Sequence, residues 1–103
     1  MKVYIAGKVT GLPMGDVFTK FGRAEFWLKE KGHEVVNPLK LCSSAWSWKR
    51  CMRVCLGELV KCDAICMLED WGDSAGAKME YYVAASLGLT VMAYKASKGL
   101  GNK

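Results

Sequence analysis

Four short apolar runs, KVYIA, HEVV, DAICML and LTVMAY, punctuate a chain of 103 residues, and a segment of helical length separates each run from the next. This alternation limits the fold more than any other feature. An antiparallel hairpin needs only a few linking residues, whereas connections of a dozen or more are the mark of crossovers between parallel strands. Such crossovers are right-handed, so the helices between the runs cover both faces of one sheet.

The first run, residues 2–6, mixes β-branched and aromatic residues and stops at Gly7, the pattern of a buried strand. A loop follows, GKVTGLPMGD, with three Gly and a Pro. Residues 17–31 read as an amphipathic helix whose core face holds Phe18, Phe21, Ala24, Phe26 and Leu28, with Gly32 capping its end. HEVVNP is a second strand stopped by Pro38. After a connection, residues 46–61 form a second helix in which Trp48, Met52, Cys55 or Leu56, and Leu59 recur at helical spacing, a stripe that reads first as core packing. DAICML is apolar throughout, as a central strand is, and the loop EDWGD follows it. Ser74 or Asp73 caps a third helix that runs to about Leu87; Gly88 ends it, and LTVMAY is the fourth strand. The expected fold class is therefore α/β, a three-layer Rossmann- or flavodoxin-like fold with a four-stranded parallel sheet in the order 2-1-3-4. The chain reverses its course across the sheet between strands 1 and 3, and ligands of such sheets bind outside the carboxyl ends of the strands at that switch. Loops 7–16 and 69–76 are those ends.

A chain of this length makes one domain, expected over residues 1–95, with 96–103 as a flexible basic tail. Its 51% hydrophobic and 24% charged residues are a globular balance. No apolar run reaches the roughly 18 residues of a membrane span, and the opening MKVYIAG has no signal-peptide pattern, so a cytoplasmic protein without a membrane partner is expected. The formal charge of +5 is scattered along the chain. Lacking a basic stripe or a nucleic-acid motif, it points away from DNA or RNA polymers and suits a small phosphorylated ligand. Five cysteines, Cys42, Cys51, Cys55, Cys62 and Cys66, show no CxxC spacing, and the chain has a single His. Reduced thiols, no metal site and no cofactor are expected.

One carboxylate stands out. With Ser74 as cap, the third helix places Gly76, Ala77, Glu80, Ala84 and Leu87 along one face, while Lys78, Tyr82 and Ser86 point outward. Apart from Glu80 that face is small or apolar, so the acid points at the sheet near the helix start and needs a hydrogen-bond partner there. Two roles are open. Glu80 either bonds to the first loop, to Tyr4 or to a basic residue as a structural element, or acts as a nucleophile on a ring-shaped substrate seated in the notch left by Gly76 and Ala77, with loop amides and the helix start gripping an anion.

SAGAKME, an SxGxxxE pattern at Ser74, Gly76 and Glu80 behind a strand that begins CDA, resembles the nucleoside 2-deoxyribosyltransferase superfamily. YIAGKVTG and GHEVVNP resemble it too, and most of all a small phage and bacterial branch similar to deoxynucleoside 5′-monophosphate N-glycosidases. The likeness runs from residue 2 to about 94. It implies that Glu80 attacks the anomeric carbon of a nucleoside or nucleotide, expelling the base and leaving a glycosyl ester that water or a second base resolves. Ser74 implies a 5′-monophosphate substrate, because members acting on free nucleosides tend to carry an acid there. Gly7, Lys8, Thr10 and Gly11 match a first loop that holds phosphate or sugar, and Tyr4 matches an aromatic position that supports the nucleophile or the sugar. The resemblance also implies a homo-oligomer.

The chain departs from that pattern at Cys55, where characterised members carry an Asp that handles the proton of the departing base. A thiol is a weak donor, and losing general-acid help typically costs roughly 10²- to 10⁴-fold. Asp16, Asp70 and Asp73 in the two site loops are candidate replacements, Asp16 also as a substrate contact, and Trp71 is a candidate to stack on a base. The expected function is cleavage or transfer at the N-glycosidic bond of a nucleoside or nucleoside 5′-monophosphate; the alternative is a nucleotide-binding or sensing protein on the same fold. An interaction protein presenting Trp46, Trp48 and the basic tail is a third class.

Overall fold

The structure, a computed structural model, describes residues 1–95, so the expected basic tail lies outside the described residues. Four parallel strands, β1 (Lys2–Ala6), β2 (Glu34–Val36), β3 (Ala64–Leu68) and β4 (Thr90–Tyr94), form one sheet in the order β2-β1-β3-β4. Helices α1 (Met14–Glu30), α2 (Trp48–Leu59) and α3 (Ala75–Ser86) make the crossovers. The expected three-layer α/β fold and its strand order are what the chain adopts.

Side chains alternate along β1 and β3, and this divides the core in two. Val3, Ile5, Cys66 and Leu68 face α1, where they meet Val17, Phe21, Ala24 and Leu28. Tyr4, Ala6, Ile65 and Met67 face the other way, toward Cys55 and Leu59 of α2 and Ala77 and Ala84 of α3. Tyr4 pairs in register with Ile65 and Ile5 with Cys66, so β1 and β3 present a common front to each layer.

Both predicted glycine caps are present. Gly32 and Gly88 have φ of 86° and 79°, and the residue after each donates back into the helix, His33 N–H to Leu28 O at 3.1 Å and Leu89 N–H to Ala84 O at 3.0 Å. This is the Schellman arrangement, in which a left-handed residue lets the chain fold over the last turn.

Several expectations fail in detail. Helix α1 begins at Met14 rather than at 17, because Pro13, with φ already at −58°, leads straight into the first turn. Its buried face is Val17, Phe21, Ala24 and Leu28, at steps of four, three and four, whereas Phe18 and Phe26 are exposed. A 3.6-residue period admits one such stripe, and Val17 rather than Phe18 opens it. Helix α2 begins at Trp48, after Ser47 accepts a hydrogen bond from Arg50 N–H at 3.1 Å. Trp48 is exposed, and so is Leu87, just past the end of α3. Cys42 and Cys51 form a disulfide, against the expectation of reduced thiols, while Cys55, Cys62 and Cys66 are free and buried. The connection before α2 folds back until the Cα atoms of Cys42 and Cys51 are 5.6 Å apart, an approach that a spacing of nine residues does not reveal.

Candidate functional site

Helix α3 starts where Ser74 Oγ accepts the N–H of Ala77 at 3.1 Å, satisfying one of the first-turn donors. From that start Gly76, Ala77, Glu80 and Ala84 turn inward. Glu80 is only 6% exposed and Tyr4 is fully buried, and the Tyr4 hydroxyl donates to Glu80 Oε2. Of the partners open to Glu80 on sequence grounds, the structure uses Tyr4; among the described residues no Lys or Arg forms a salt bridge with it.

The pair sits in a low-dielectric setting that favours neutral forms. Burial pushes the Glu80 carboxyl up to about 7, and the hydrogen bond from Tyr4 works against that rise. Burial first, and then the nearby Glu80 charge, raise the Tyr4 hydroxyl far above its ordinary range, so it remains a donor. Cys55 adjoins the same hydroxyl, with its own thiol pushed up mainly by burial. The position that breaks the sequence pattern therefore lies against the Tyr4–Glu80 pair. Near neutral pH, both the carboxylate and the neutral acid form of Glu80 are therefore within reach.

The notch expected at Gly76 is occupied. A Cβ added there would lie 3.2 Å from Met52 Sδ and 3.8 Å from Trp48 Nε1, so α2 fills the space that the missing side chain leaves. Trp71 lies half-buried against Tyr81, their ring centroids 4.8 Å apart and their planes at 35°, so Tyr81 covers part of the indole. Asp73 is exposed in the short 3₁₀ turn Trp71–Asp73.

A second group forms around loop 7–16. Gly7 is buried where any Cβ would come within 2.7 Å of Leu68 Cδ1, so glycine is required for β1 to leave the sheet beside β3. Lys8 N–H donates to Asp70 Oδ1 at 3.0 Å, and Lys20 Nζ donates to Asp70 Oδ2 and to Lys8 O, each at 2.5 Å. Asp70 is thus a tie between the two strand-end loops. Thr10 and Gly11 are exposed beyond it, with Gly11 at φ of 86°. A cleft of about 500 Å³ opens on the α1 side, lined by Asp16, Lys20, Arg23, Asp70 and Tyr94 among others. Glu80 does not line it. The structure therefore brings Tyr4, Gly76 and Glu80 together on the α2–α3 side, with Ser74 at the helix start, and gathers Lys8, Asp16 and Asp70 on the α1 side.

Lys20 and Arg23 are cleft residues that the sequence reading did not single out. Their signal was the helical spacing of Asp16, Thr19, Lys20 and Arg23 just after the Gly loop, which puts four polar residues on one face pointing along the strand ends.

The fold is shared with two solved enzyme structures. The CMP N-glycosidase BcmB of Clostridium botulinum superposes with a TM-score of 0.64 at 20% identity, covering 92% of this chain and 71% of that one. A 2-deoxyribosyltransferase from Leishmania mexicana superposes with a TM-score of 0.68, also at 20% identity, covering 91% of this chain and 63% of that one. No curated protein matches the sequence. Residues 1–93 do match the model of a family described as a domain of unknown function, DUF4406, and the chain belongs to that family.

Proposed function

We propose that the protein cleaves or transfers at an N-glycosidic bond of a nucleoside 5′-monophosphate, with Glu80 as nucleophile. The observation that carries this reading is the buried Glu80 carboxyl held by the Tyr4 hydroxyl, on a fold shared with an N-glycosidase and a deoxyribosyltransferase. A buried acid without a cationic partner costs stability, and such groups are kept where their chemistry is used.

Ionised Glu80 attacks the anomeric carbon while the carbon–nitrogen bond breaks and its electron pair leaves with the base. The carboxylate first steadies the oxocarbenium-like transition state and then captures it as an ester, the logic of a retaining glycosidase. Tyr4 fixes the orientation of the carboxylate through Oε2 and leaves Oε1 for the attack. Water or a second base then opens the ester. Ser74, the first amides of α3 and loop 7–11 hold the phosphate and sugar, and Trp71 contributes a ring face to the base. Asp70 is tied to Lys20 and Lys8, so the proton for the departing base falls to Asp73. The approach to Glu80 in this reading runs past Met52 and Trp48, which pack beside Gly76. A homo-oligomer completes the proposal, with Met79, Tyr82 and Leu87 as exposed apolar residues on and beside α3.

The packing of Met52 and Trp48 against Gly76 favours a second reading, a nucleotide-binding protein that does not cut. Incubation with a panel of nucleoside and deoxynucleoside 5′-monophosphates, with and without a second free base, separates the two. Base release or exchange that vanishes in Glu80→Ala supports the nucleophile. Binding of a nucleotide with no release in the wild type assigns the protein to the second reading.

A further inference from the structure

Three cysteines to which the proposed chemistry gives no step converge, one of them, Cys55, beside the Tyr4 hydroxyl. Cys42 comes from the connection before α2, and Cys51 and Cys55 lie one turn apart on α2; their sulfurs all fall within 4.8 Å of one another. Cys55 Sγ is 3.6 Å from Cys42 Sγ and 3.9 Å from Cys51 Sγ.

Thiol–disulfide exchange is one use for such a trio, but the placement opposes it. An attacking sulfur lines up with the bond it breaks and so stands farther from the leaving sulfur by a bond length, about 2 Å. Cys55 is nearly equidistant from both sulfurs. Once the Cys42–Cys51 disulfide is opened, equidistance of Cys55 from both sulfurs is also what a shared centre demands. Two sulfurs bound at about 2.3 Å to one tetrahedral Zn²⁺ lie about 3.8 Å apart, between the two distances observed. The four-residue step from Cys51 to Cys55 puts both donors on one helix face. Cys55 is buried and forms the floor, whereas Cys42 and Cys51 are half-buried, leaving the outer side open to a solvent ligand.

We propose that the reduced protein binds one thiophilic d¹⁰ cation, of which Zn²⁺ is the type, through Sγ of Cys42, Cys51 and Cys55. The donors must first be freed: a phosphine reductant gives two electrons to the Cys42–Cys51 bond, water supplies two protons to the sulfurs and its oxygen to the phosphine, and two thiols result. The ion then takes the three sulfurs as thiolates and releases up to three protons to solvent. Three sulfur donors select soft ions over Mg²⁺ or Ca²⁺. The missing CxxC spacing pointed away from a metal because the third donor arrives by a fold-back of the chain.

The test needs no turnover and so is independent of the glycosidic reading. Co²⁺ is titrated into the phosphine-reduced full chain without oxygen, following thiolate-to-metal absorption in the near ultraviolet and the visible bands of a tetrahedral site. The expected result is saturation at one Co²⁺ per chain, displacement by Zn²⁺, at least about tenfold weaker binding in Cys42→Ser and Cys55→Ala, and unchanged binding in Cys62→Ser. Cys42 lies in a half-buried connection, so its variant keeps the test decisive if removal of the buried Cys55 disturbs folding. Absence of the absorption in the reduced wild type, or binding that survives unchanged in Cys42→Ser, overturns the proposal.

Discussion

Glu80 carries a pH signature whose sign follows from its burial. Its carboxyl titrates at about 7 in the folded chain against 4.5 in the open one. Below about pH 4.5 both states hold the proton and no stability is lost. Between 4.5 and 7 the unfolded chain has released a proton that the folded chain keeps, so stability falls as pH rises, by about 3 kcal/mol in all once pH exceeds 7. Glu80→Gln, which keeps an acceptor for Tyr4 without the charge, is therefore expected to melt several degrees above the wild type at pH 8 and to converge with it near pH 4.5. Any base release by the wild type should rise with pH through about 7, as the nucleophile ionises; a rate independent of pH from 5 to 9 would count against Glu80. Glu25 behaves oppositely. Burial alone would raise its carboxyl, but hydrogen bonds from Lys29, Asn37 and Lys40 hold it at about 2. Its contribution is present above about pH 4.5 and is lost as pH falls toward 2, so Glu25→Gln should flatten the acid limb of a melting-temperature profile. Gly7→Ala drives a Cβ into Leu68, and denaturant titration should register a loss of about 1–3 kcal/mol.

Among the elements, α2 packs against the start of α3 at Gly76, one turn from Glu80. Met52→Ala removes the side chain that fills the space at Gly76. It is expected to cost about 2 kcal/mol or more in denaturant unfolding, and, where the protein cleaves nucleotides, to lower KM by opening the approach. The caps of these elements were legible in the sequence because they are local: Ser74 before a small-residue turn and Gly32 and Gly88 after periodic segments are chosen by backbone geometry within a few residues. The inward turn of Glu80 was legible for the same reason, since helical spacing alone sets it among Gly76, Ala77 and Ala84. Contacts made by chain returning from afar were not. Lys20 reaching Asp70, Cys42 meeting Cys51, and Met52 entering the gap at Gly76 each depend on how close two elements pack, which no spacing records. The choice of Val17 over Phe18 was missed because both lie one turn from Phe21, and a single sequence does not fix the phase of the stripe.

For the whole molecule, strand order was readable because connections of helical length leave parallel pairing as the economical solution. The outer surface is less finished than the sheet. Met79, Tyr82 and Leu87 on and beside α3, with Val91 on the edge strand β4, are each more than 40% exposed. Sedimentation is expected to show an oligomer of identical chains that Tyr82→Lys with Leu87→Lys converts to monomer; an unchanged mass in that variant would place the contact elsewhere. The Tyr4–Glu80 hydrogen bond, finally, joins residues 76 positions apart. Tyr4 is made 76 residues before Glu80, and its hydroxyl must wait, in water or against transient partners, until α3 has been synthesised. Long-range closure of this kind is slow relative to helix formation. A nascent chain thus gains most of its secondary structure before it gains this bond, so a chain halted before residue 80 would hold α1, α2 and the first three strands but no assembled acid.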